Sequence, residues 1–330
     1  VTDDGFVIEA SNAVFVTHDH GMTWTPLPGL ASLSMRLFTT ARPAPSSGQI
    51  LYATSNMQTP PYAIAIHQST NAGMDFTTTV LTYQLNGVDP HALEILAIDP
   101  RNSNVIWARA TAEVPEDAVS VTRHGLIRSS DGGLTWSELY TLDAVVGSSG
   151  ETLGIDDVAF DVANNRTYVA TRTGLLSGAD DGSATVPTLA TASSLHQTQC
   201  ADIHNGSLYV CSSQFPPDNA AVAESTDQAA TFNSVLNYVD TIGPVDCPAT
   251  TPVGQLCPSY WYMYGSQLGI SFDGGVISGD GGTMMKMHSG CGCSVGAVES
   301  AVGGLAFASL LLALVLRTVA RSEARARRRG

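Results

Sequence analysis

The chain has 330 residues, of which 44% are hydrophobic and only 14% charged, and it contains 31 glycines. This composition is too apolar for a disordered protein, and it suits one large β domain or two smaller ones. The net charge of −15 would be repelled by a phosphate backbone, so nucleic acid is not an expected partner.

The first residues already have the pattern of strands. VTDDGFVIEASNAVFV (1–16) contains two short apolar runs separated by turn-forming residues. The chain starts without an initiating Met or an apolar leader, so we expect a signal peptide upstream of Val1.

The next stretch contains a motif that recurs along the chain, Ser/Thr-x-Asp-x-Gly-x-Thr-Trp/Phe. THDHGMTW (17–24) and SSDGGLTW (129–136) match it at every position, whereas STNAGMDF (69–76) and STDQAATF (225–232) match in part. A weaker copy lies within TGLLSGADDGSAT (173–185). The period is about 50 residues, with short apolar runs and turn signals between copies, which predicts about four strands per unit and a β-propeller.

The residue types of this motif suit a tight hairpin. Gly133 can adopt a positive φ, the Asp131 carboxylate can accept backbone N–H bonds within its own turn, and Trp136 can bury its ring between neighbouring blades. We therefore predict a structural role for the motif positions, which are Thr17, Asp19, Gly21, Thr23, Trp24, Ser69, Asn71, Gly73, Phe76, Ser129, Asp131, Gly133, Thr135, Trp136, Asp180, Gly182, Ser225, Asp227, Thr231 and Phe232.

The motif resembles the Asp-box, or BNR repeat, of sialidases, sortilin-type receptors, xyloglucan-cleaving enzymes and photosystem assembly propellers. The resemblance covers about residues 5–282 and implies an all-β propeller. With the period of about 50 residues, we expect about six four-stranded blades over residues 1–282, or seven with sequence missing upstream of Val1. The resemblance also implies that the boxes form the hairpins between third and fourth strands, away from ligand surfaces. We therefore expect function to lie at the mouth of the central channel, where loops from all blades converge.

The sequence offers little support for a sialidase. The family needs three arginines that clamp a carboxylate, and its Arg-Ile-Pro signature precedes the first box. Arg36, in SMRLFTT, follows a box and is not followed by Ile-Pro, so no arginine carries over. The prediction is a non-catalytic glycan- or protein-binding module with no cofactor and no metal.

Two alternatives stay open: an extracellular glycoside hydrolase and a purely structural surface protein. A glycoside hydrolase needs two carboxylates across a cleft. The densest acidic segments are EVPED (113–117), expected to be a solvated loop, and GIDDVAF (154–160), expected to be a turn before a strand. Buried carboxylates that converge at the channel would favour the hydrolase.

Four cysteines lie in the body of the chain without paired CxxC spacing: Cys200, Cys211, Cys247 and Cys257. This arrangement suits two disulfides better than zinc. Of the three possible pairings, local closure of Cys200 with Cys211 and of Cys247 with Cys257 is favoured. Disulfides imply an oxidising compartment.

The C-terminal region has the pattern of a membrane segment. Residues 283–290 are expected to be a flexible spacer, and residues 300–316 carry no charge, which is the short end of what spans a bilayer. Six arginines lie among the last fourteen residues. The positive-inside rule then places residues 317–330 in the cytoplasm and the propeller outside.

A Cys-Gly-Cys motif stands before this span, at Cys291, Gly292 and Cys293, and the chain ends in Arg327, Arg328, Arg329 and a glycine. Residues 291–330 resemble the MYXO-CTERM sorting signal of myxobacterial surface proteins. The resemblance implies a sorting protease, removal of the span and retention at the surface. We therefore expect an exported protein at the cell surface or outer membrane of a Gram-negative bacterium, with its span initially in the inner membrane.

Overall fold

The computed structural model describes residues 6–10, 13–17, 19, 22–31, 36–57, 63–116, 119–145 and 154–240, together with Gln255 and Tyr260. The chain divides into two compact units, Val1–Val235 and Leu236–Gly330. In the second unit, the described residues include a 3₁₀ turn at Tyr238–Asp240. The predicted propeller range of 1–282 runs past the boundary of the first unit and stays a prediction.

The first sheet has three described strands and a short helix. Its antiparallel strands are β1 (Phe6–Ala10), β2 (Ala13–Thr17) and β3 (Thr25–Pro26). The first motif turn connects β2 to β3, and α1 (Pro28–Ala31) follows.

The second sheet is a four-stranded antiparallel meander. Its strands are β4 (Arg36–Ala44), β5 (Ser47–Met57), β6 (Ile64–Ser69) and β7 (Thr77–Val80), hydrogen-bonded in that order. The motif copy at 69–76 forms the connection between the third and fourth strands.

The third sheet repeats this topology with longer strands. They are β8 (Ala92–Ile98), β9 (Ile106–Glu116), β10 (Val119–Ser129) and β11 (Ser137–Val145). Residues 113–116 belong to β9, so the expected loop over EVPED is wrong for these four residues. They are strand because they pair with residues 119–122 of β10.

The fourth sheet consists of β12 (Ile155–Asp161), β13 (Arg166–Thr171), β14 (Gly174–Ala179) and β15 (Ala190–Thr191). The acidic segment GIDDVAF therefore lies almost entirely in β12. The expected turn is wrong there because β12 pairs along β13, with a register shift between Ile155 and Asp157.

The fifth sheet consists of β16 (Cys200–His204), β17 (Ser207–Cys211), β18 (Val222–Ser225) and β19 (Asn233–Leu236). Asn205 and Gly206 join its first two strands with φ of 51° and 82°. Positive φ at both central residues is what the commonest two-residue hairpin turn requires, and Asn-Gly is its preferred sequence.

Successive sheets of the first unit pack face to face. Their first strands touch in the order β1, β4, β8, β12 and β16. The apolar cores lie between neighbouring sheets, as in the cluster that joins Tyr52 and Ile66 of the second sheet to Ile95 and Ile127 of the third. The described part is thus all-β, with four-stranded antiparallel sheets arranged as in a β-propeller. The number of blades stays a prediction.

Candidate functional site

The motif turn of the third sheet is held together by its own side chains. The Ser129 hydroxyl donates to Asp131 (2.8 Å) and accepts the Gly133 N–H (2.8 Å). Asp131 also accepts both the N–H and the hydroxyl of Thr135, at 2.9 and 2.6 Å. Gly133 has φ of 93°, and the Trp136 ring packs on the core between the second and third sheets. The side chains of Ser129, Asp131 and Thr135 therefore bond to each other and to the backbone of their own turn.

The same bonds occur in the first and fifth sheets. Asp19 accepts from Thr17 and Thr23, and these hydrogen bonds lower its pKa to about 2. Asp227 accepts from Ser225 and Thr231 with the same effect on its pKa. Phe232 is half-buried against a core, whereas Trp24 is more exposed. Gly21 lies outside the described residues.

The second sheet keeps the turn although two motif residues differ. The Asn71 side-chain amide donates to the Asp75 carboxylate (3.1 Å), where the other copies have an aspartate that accepts from a threonine. Asn71 Oδ1 still accepts the Asp75 N–H (3.0 Å), and Ser69 still accepts the Gly73 N–H (2.8 Å). Donor and acceptor have exchanged places, so the hydrogen bond survives. Phe76 packs against the core between the first and second sheets.

The fourth sheet departs from this pattern. Asp180 accepts the Gly182 N–H (3.0 Å) and the Thr167 hydroxyl (3.0 Å), and its carboxylate faces Arg128 of the third sheet at 3.5 Å. Gly178 stands where the other turns have Ser or Thr, so the turn lacks one of its usual donors. Asp180 therefore accepts one N–H of its own turn and also joins two sheets.

One predicted disulfide is confirmed. Cys200 and Cys211 form a bond between directly opposed residues of β16 and β17, with a Cα–Cα distance of 4.9 Å. Cys247 and Cys257 lie outside the described residues, so their pairing stays a prediction.

Charged side chains gather where the third and fourth sheets meet, at the end opposite the motif turns. Arg109 donates to Glu94 and to the Ile155 carbonyl (2.9 Å), and it lies 3.4 Å from Asp156. Arg172 Nε donates to the other oxygen of Asp156 (2.7 Å). We call Glu94, Arg109, Asp156 and Arg172 the strand-start charge cluster. Burial raises the pKa of Asp156, and the two arginines oppose that rise.

Asp157, the next residue, points to the other side of β12. Its two oxygens accept the N–H groups of Val158 (2.9 Å) and of Ala201 in the fifth sheet (3.2 Å). Burial raises the pKa of Asp157 to about 6, and the nearby charge of Asp202 adds to the rise. This carboxyl group connects the fourth sheet to the fifth.

His124 belongs to the same end of the third sheet. It pairs with Thr111 in the strand register, two residues from Arg109. Burial lowers the pKa of His124 to about 4, and the charge of Arg109 contributes. Its Nδ1 is buried and has no hydrogen-bond partner among the described residues. His124 is therefore neutral at physiological pH.

At this end of the sheets, three of the described carboxylates are already engaged by other groups. Asp156 is engaged by two arginines, and Asp157 by two backbone N–H groups. Glu94 is paired with Arg109. A carboxylate whose oxygens already bond neighbouring sheets is poorly placed to deliver a proton to a substrate. Among the described residues, no cluster of His, Cys, Asp and Glu could hold a metal ion.

Sequence patterns missed most of these partners. GIDDVAF pointed to Asp156 and Asp157 as a dense acidic spot, but nothing in the sequence paired them with Arg109, Arg172 or Ala201. The pairings with Arg109 and Ala201 arise from the packing of neighbouring sheets, over 47 and 44 residues of chain, whereas Arg172 follows the second strand of the same sheet.

The sorting residues Cys291, Gly292, Cys293, Arg327, Arg328 and Arg329 and the span over 300–316 lie outside the described residues. In the part that is described, no helix has the length and apolarity to cross a bilayer. Their predicted role is therefore untested.

No protein-family model matches the chain, and no curated protein matches it. Many solved structures are similar in fold, among them the following three. A GH74 xyloglucanase from Xanthomonas campestris is 12% identical with a TM-score of 0.27, over 70% of this chain and 47% of the xyloglucanase. An α-L-arabinofuranosidase from Fusarium graminearum, solved with an iminosugar inhibitor, is 15% identical with a TM-score of 0.36, over 58% and 63%.

The third is the Swd1 β-propeller domain from Myceliophthora thermophila, 11% identical with a TM-score of 0.36, over 63% of this chain and 64% of that domain. This chain spans about half the length of the xyloglucanase and less than two thirds of the other two. The neighbours are β-propeller proteins, and at such low similarity they say nothing about the activity of this chain.

Proposed function

We propose that this chain is a non-catalytic β-propeller of about six blades that binds a glycan or a protein outside the cell. The state of the acidic side chains at the strand starts supports this proposal. Asp156, Asp157 and Glu94 are all engaged by arginines or by backbone N–H groups. Hydrolysis of a glycoside would need one carboxyl group to protonate the leaving oxygen and a second to act on the sugar.

The binding surface in this proposal is the end of the sheets opposite the motif turns. The motif turns use their polar groups internally and offer few to a ligand. At the opposite end, Arg172 uses only its Nε toward a described residue, so its two terminal amino groups have no described acceptor.

A glycoside hydrolase is the second candidate, favoured by one observation. Asp157, with a pKa of about 6, would hold a proton at mildly acidic pH, as a general acid must. Asp202 lies close enough for its charge to raise this pKa, so a second carboxylate is near. This candidate requires Asp157 to give up its two backbone hydrogen bonds or to act through them.

One experiment separates the two candidates. The whole chain is incubated with a panel of polysaccharides, sialosides and surface proteins, and both retention and new reducing ends are measured. Retention without new reducing ends is the expected result. New reducing ends that disappear in Asp157→Asn but persist in Asp143→Asn, a change at an exposed carboxylate, would establish the hydrolase instead.

The C-terminal region is proposed to be a sorting signal that acts at the membrane. In this proposal a membrane-embedded protease recognises the segment containing Cys291 and Cys293, removes the span over 300–316 and leaves the propeller at the cell surface of a Gram-negative bacterium. The double change Cys291→Ser and Cys293→Ser should leave an unprocessed precursor in the inner membrane, detected by mass spectrometry of the C terminus. Normal processing of this variant would refute the assignment.

A further inference from the structure

A buried carboxylate joins two connections at the end of the sheets opposite the motif turns. Asp218, between β17 and β18, accepts the N–H groups of His196 (2.9 Å) and Gln197 (3.1 Å), which precede β16. It also accepts the Ser212 hydroxyl (2.5 Å). The Asp218 side chain is only 1% exposed. These bonds hold the two connections together.

Asp218 also fixes the ring of His196. The imidazole Nδ1 lies 3.2 Å from Asp218 Oδ1, and the side chain of His196 is 63% exposed. Burial opposes ionisation of Asp218, but hydrogen bonds from Ser212 and from the two backbone N–H groups lower its pKa overall. An ionised carboxylate selects the tautomer with hydrogen on Nδ1, which leaves Nε2, on the far side of the ring, available to a ligand.

The connection that carries Asp218 is preformed by its own hydrogen bonds. Ala220 N–H donates to the Ser213 carbonyl (3.0 Å), Asn219 N–H to the Phe215 carbonyl (3.2 Å) and the Asn219 side chain to the Pro217 carbonyl (3.0 Å). Phe215 is 56% exposed on this connection. A loop ordered before binding loses less conformational entropy when a ligand arrives.

A surface hollow of about 170 Å³ adjoins this pair of connections. Asp218 and Pro217 line one part of it and Ser194 and Leu195 another, and Phe232, the last residue of the motif copy at 225–232, lines a third. Drug-sized ligands occupy about 300–1,000 Å³, so this hollow admits one ring-sized group. Its lining combines hydroxyl and carboxylate oxygens with apolar carbon.

We propose that this hollow, with the His196 imidazole beside it, is a subsite for one sugar ring of a neutral glycan. The apolar C–H face of a pyranose can pack against Phe232 and Pro217. Its hydroxyl groups can form hydrogen bonds with Ser194 and His196. The ligand is neutral because the Asp218 carboxylate lines the hollow and the chain carries a net charge of −15. The inference rests on the proposed function, since it names the ligand class of a binding propeller.

A protein ligand fits this place less well. Specific protein interfaces bury about 1,200–2,000 Å² with large apolar anchors at their centre. Here the large apolar side chain exposed on the connection is Phe215, and the hollow beside it is small. A single sugar ring therefore suits the size and chemistry better than a protein surface does.

The test uses the whole chain and two matched variants. Ser194→Phe fills the hollow from an exposed lining position, and Ser137→Phe places the same ring on an exposed residue of β11 in the third sheet. Binding of neutral and acidic oligosaccharides is measured by calorimetry. We expect Ser194→Phe to weaken the neutral ligand at least tenfold and Ser137→Phe to leave it unchanged. Acidic oligosaccharides should bind the wild type at least tenfold more weakly than neutral ones.

A second measurement tests directly whether a sugar contacts the His196 imidazole. Methyl glucoside, galactoside and mannoside are titrated while the ring resonances of His196 are followed by NMR, assigned with His196→Gln. At least one of these sugars should shift the His196 resonances in the wild type and not in Ser194→Phe.

The outcomes separate the two levels of the proposal. Equal glycan binding by Ser194→Phe and Ser137→Phe would overturn the subsite and leave the binding function intact. Stronger binding of acidic than of neutral oligosaccharides would overturn the ligand class. Absence of any glycan binding, together with capture of a surface protein on the panel, would overturn the subsite while the binding propeller stands. Absence of both would overturn the proposed function as well.

Discussion

The guanidinium of Arg128, in the third sheet, lies 3.5 Å from the carboxylate of Asp180, in the fourth, and both side chains are only 1% exposed. Arg128 also donates to the Ser183 carbonyl at 2.5 Å. Asp180 occupies the position that Asp131 holds in its own turn, yet its charged partner Arg128 is on another sheet. The same position in a repeat can therefore close a hairpin or connect two sheets.

Asp180 should matter far more to stability than Asp131. Asp180→Ala leaves the charge of Arg128 buried without this partner, which costs about 3–5 kcal/mol for buried pairs. Asp131→Ala removes hydrogen bonds at an exposed turn and should cost about 1 kcal/mol. Urea unfolding of the two variants measures the difference. The double change Arg128→Met and Asp180→Asn should recover part of the loss, because it removes both charges. Equal costs for the two alanine variants would contradict the inter-sheet role.

The glycine of the third motif turn should resist substitution. At Gly133 a Cβ would lie 3.2 Å from Ile66 Cγ2, and φ is 93°. Gly133→Ala should therefore cost about 2–3 kcal/mol, from left-handed strain and from the shift imposed on Ile66. Gly87→Ala is the matched control, because Gly87 has φ of 81° but open space around its Cβ position. Its cost should be the strain alone, about 1–2 kcal/mol. Equal values would show that Ile66 yields without cost.

Ala229, with φ of 71° in the fifth sheet, shows that an alanine can occupy this turn position.

Asp157 and His124 should give opposing pH dependences. The folded-state pKa of Asp157 is raised to about 6, so its contribution to stability is greatest near pH 4 and declines as pH rises to about 6. The pKa of His124 is lowered to about 4, so its contribution is present above about pH 6.5 and is lost as pH falls toward 4. Between pH 4 and 6 the contributions of these two groups should therefore change in opposite directions.

Single variants separate these two effects. Over pH 4–6, Asp157→Asn should gain stability with rising pH, by about 2–3 kcal/mol relative to the wild type. His124→Gln should lose stability over the same range. The measurement is urea unfolding at half-unit steps of pH. Asp143→Asn is the control, because the pKa of Asp143 is lowered by Arg123 and its titration lies below this window. Parallel profiles for Asp157→Asn and the wild type would show that Asp157 does not titrate near pH 6.

The cross-strand disulfide should stabilise the fifth sheet. The bond closes a loop with a sequence separation of 11 residues, for which loop entropy predicts about 3 kcal/mol. Replacement of both Cys200 and Cys211 by Ala should therefore lower the free energy of unfolding by about that amount. A reductant should destabilise the wild type at least as much. Any further effect of the reductant on the double variant would show a second disulfide, and its loss in a variant that also carries Cys247→Ala and Cys257→Ala would identify the predicted Cys247–Cys257 bond. No loss in the double variant would show that the hairpin forms equally well without the cross-link.

The sequence predicted those parts of the molecule that depend on residues close together in the chain. A period of about 50 residues with turn signals predicted all-β sheets of four strands. The short separation of Cys200 and Cys211 in the chain predicted their disulfide. The serine, aspartate and threonine of a motif turn bond over two to four residues, so their geometry follows from local chemistry. The turn predicted over GIDDVAF was wrong because strand pairing with β13, a partner outside the segment, decided its conformation.

Tertiary structure alone decided the contacts between sheets. Asp180 with Arg128, Asp156 with Arg109 and His196 with Asp218 are 52, 47 and 22 residues apart. The sequence period does not predict these contacts. Two of them depend on how neighbouring sheets pack, and the third depends on how two connections lie against each other. Local hydrogen bonding fixes a turn wherever the sequence occurs, whereas the partner of a buried charge is set by packing, and that packing exists only in the folded chain.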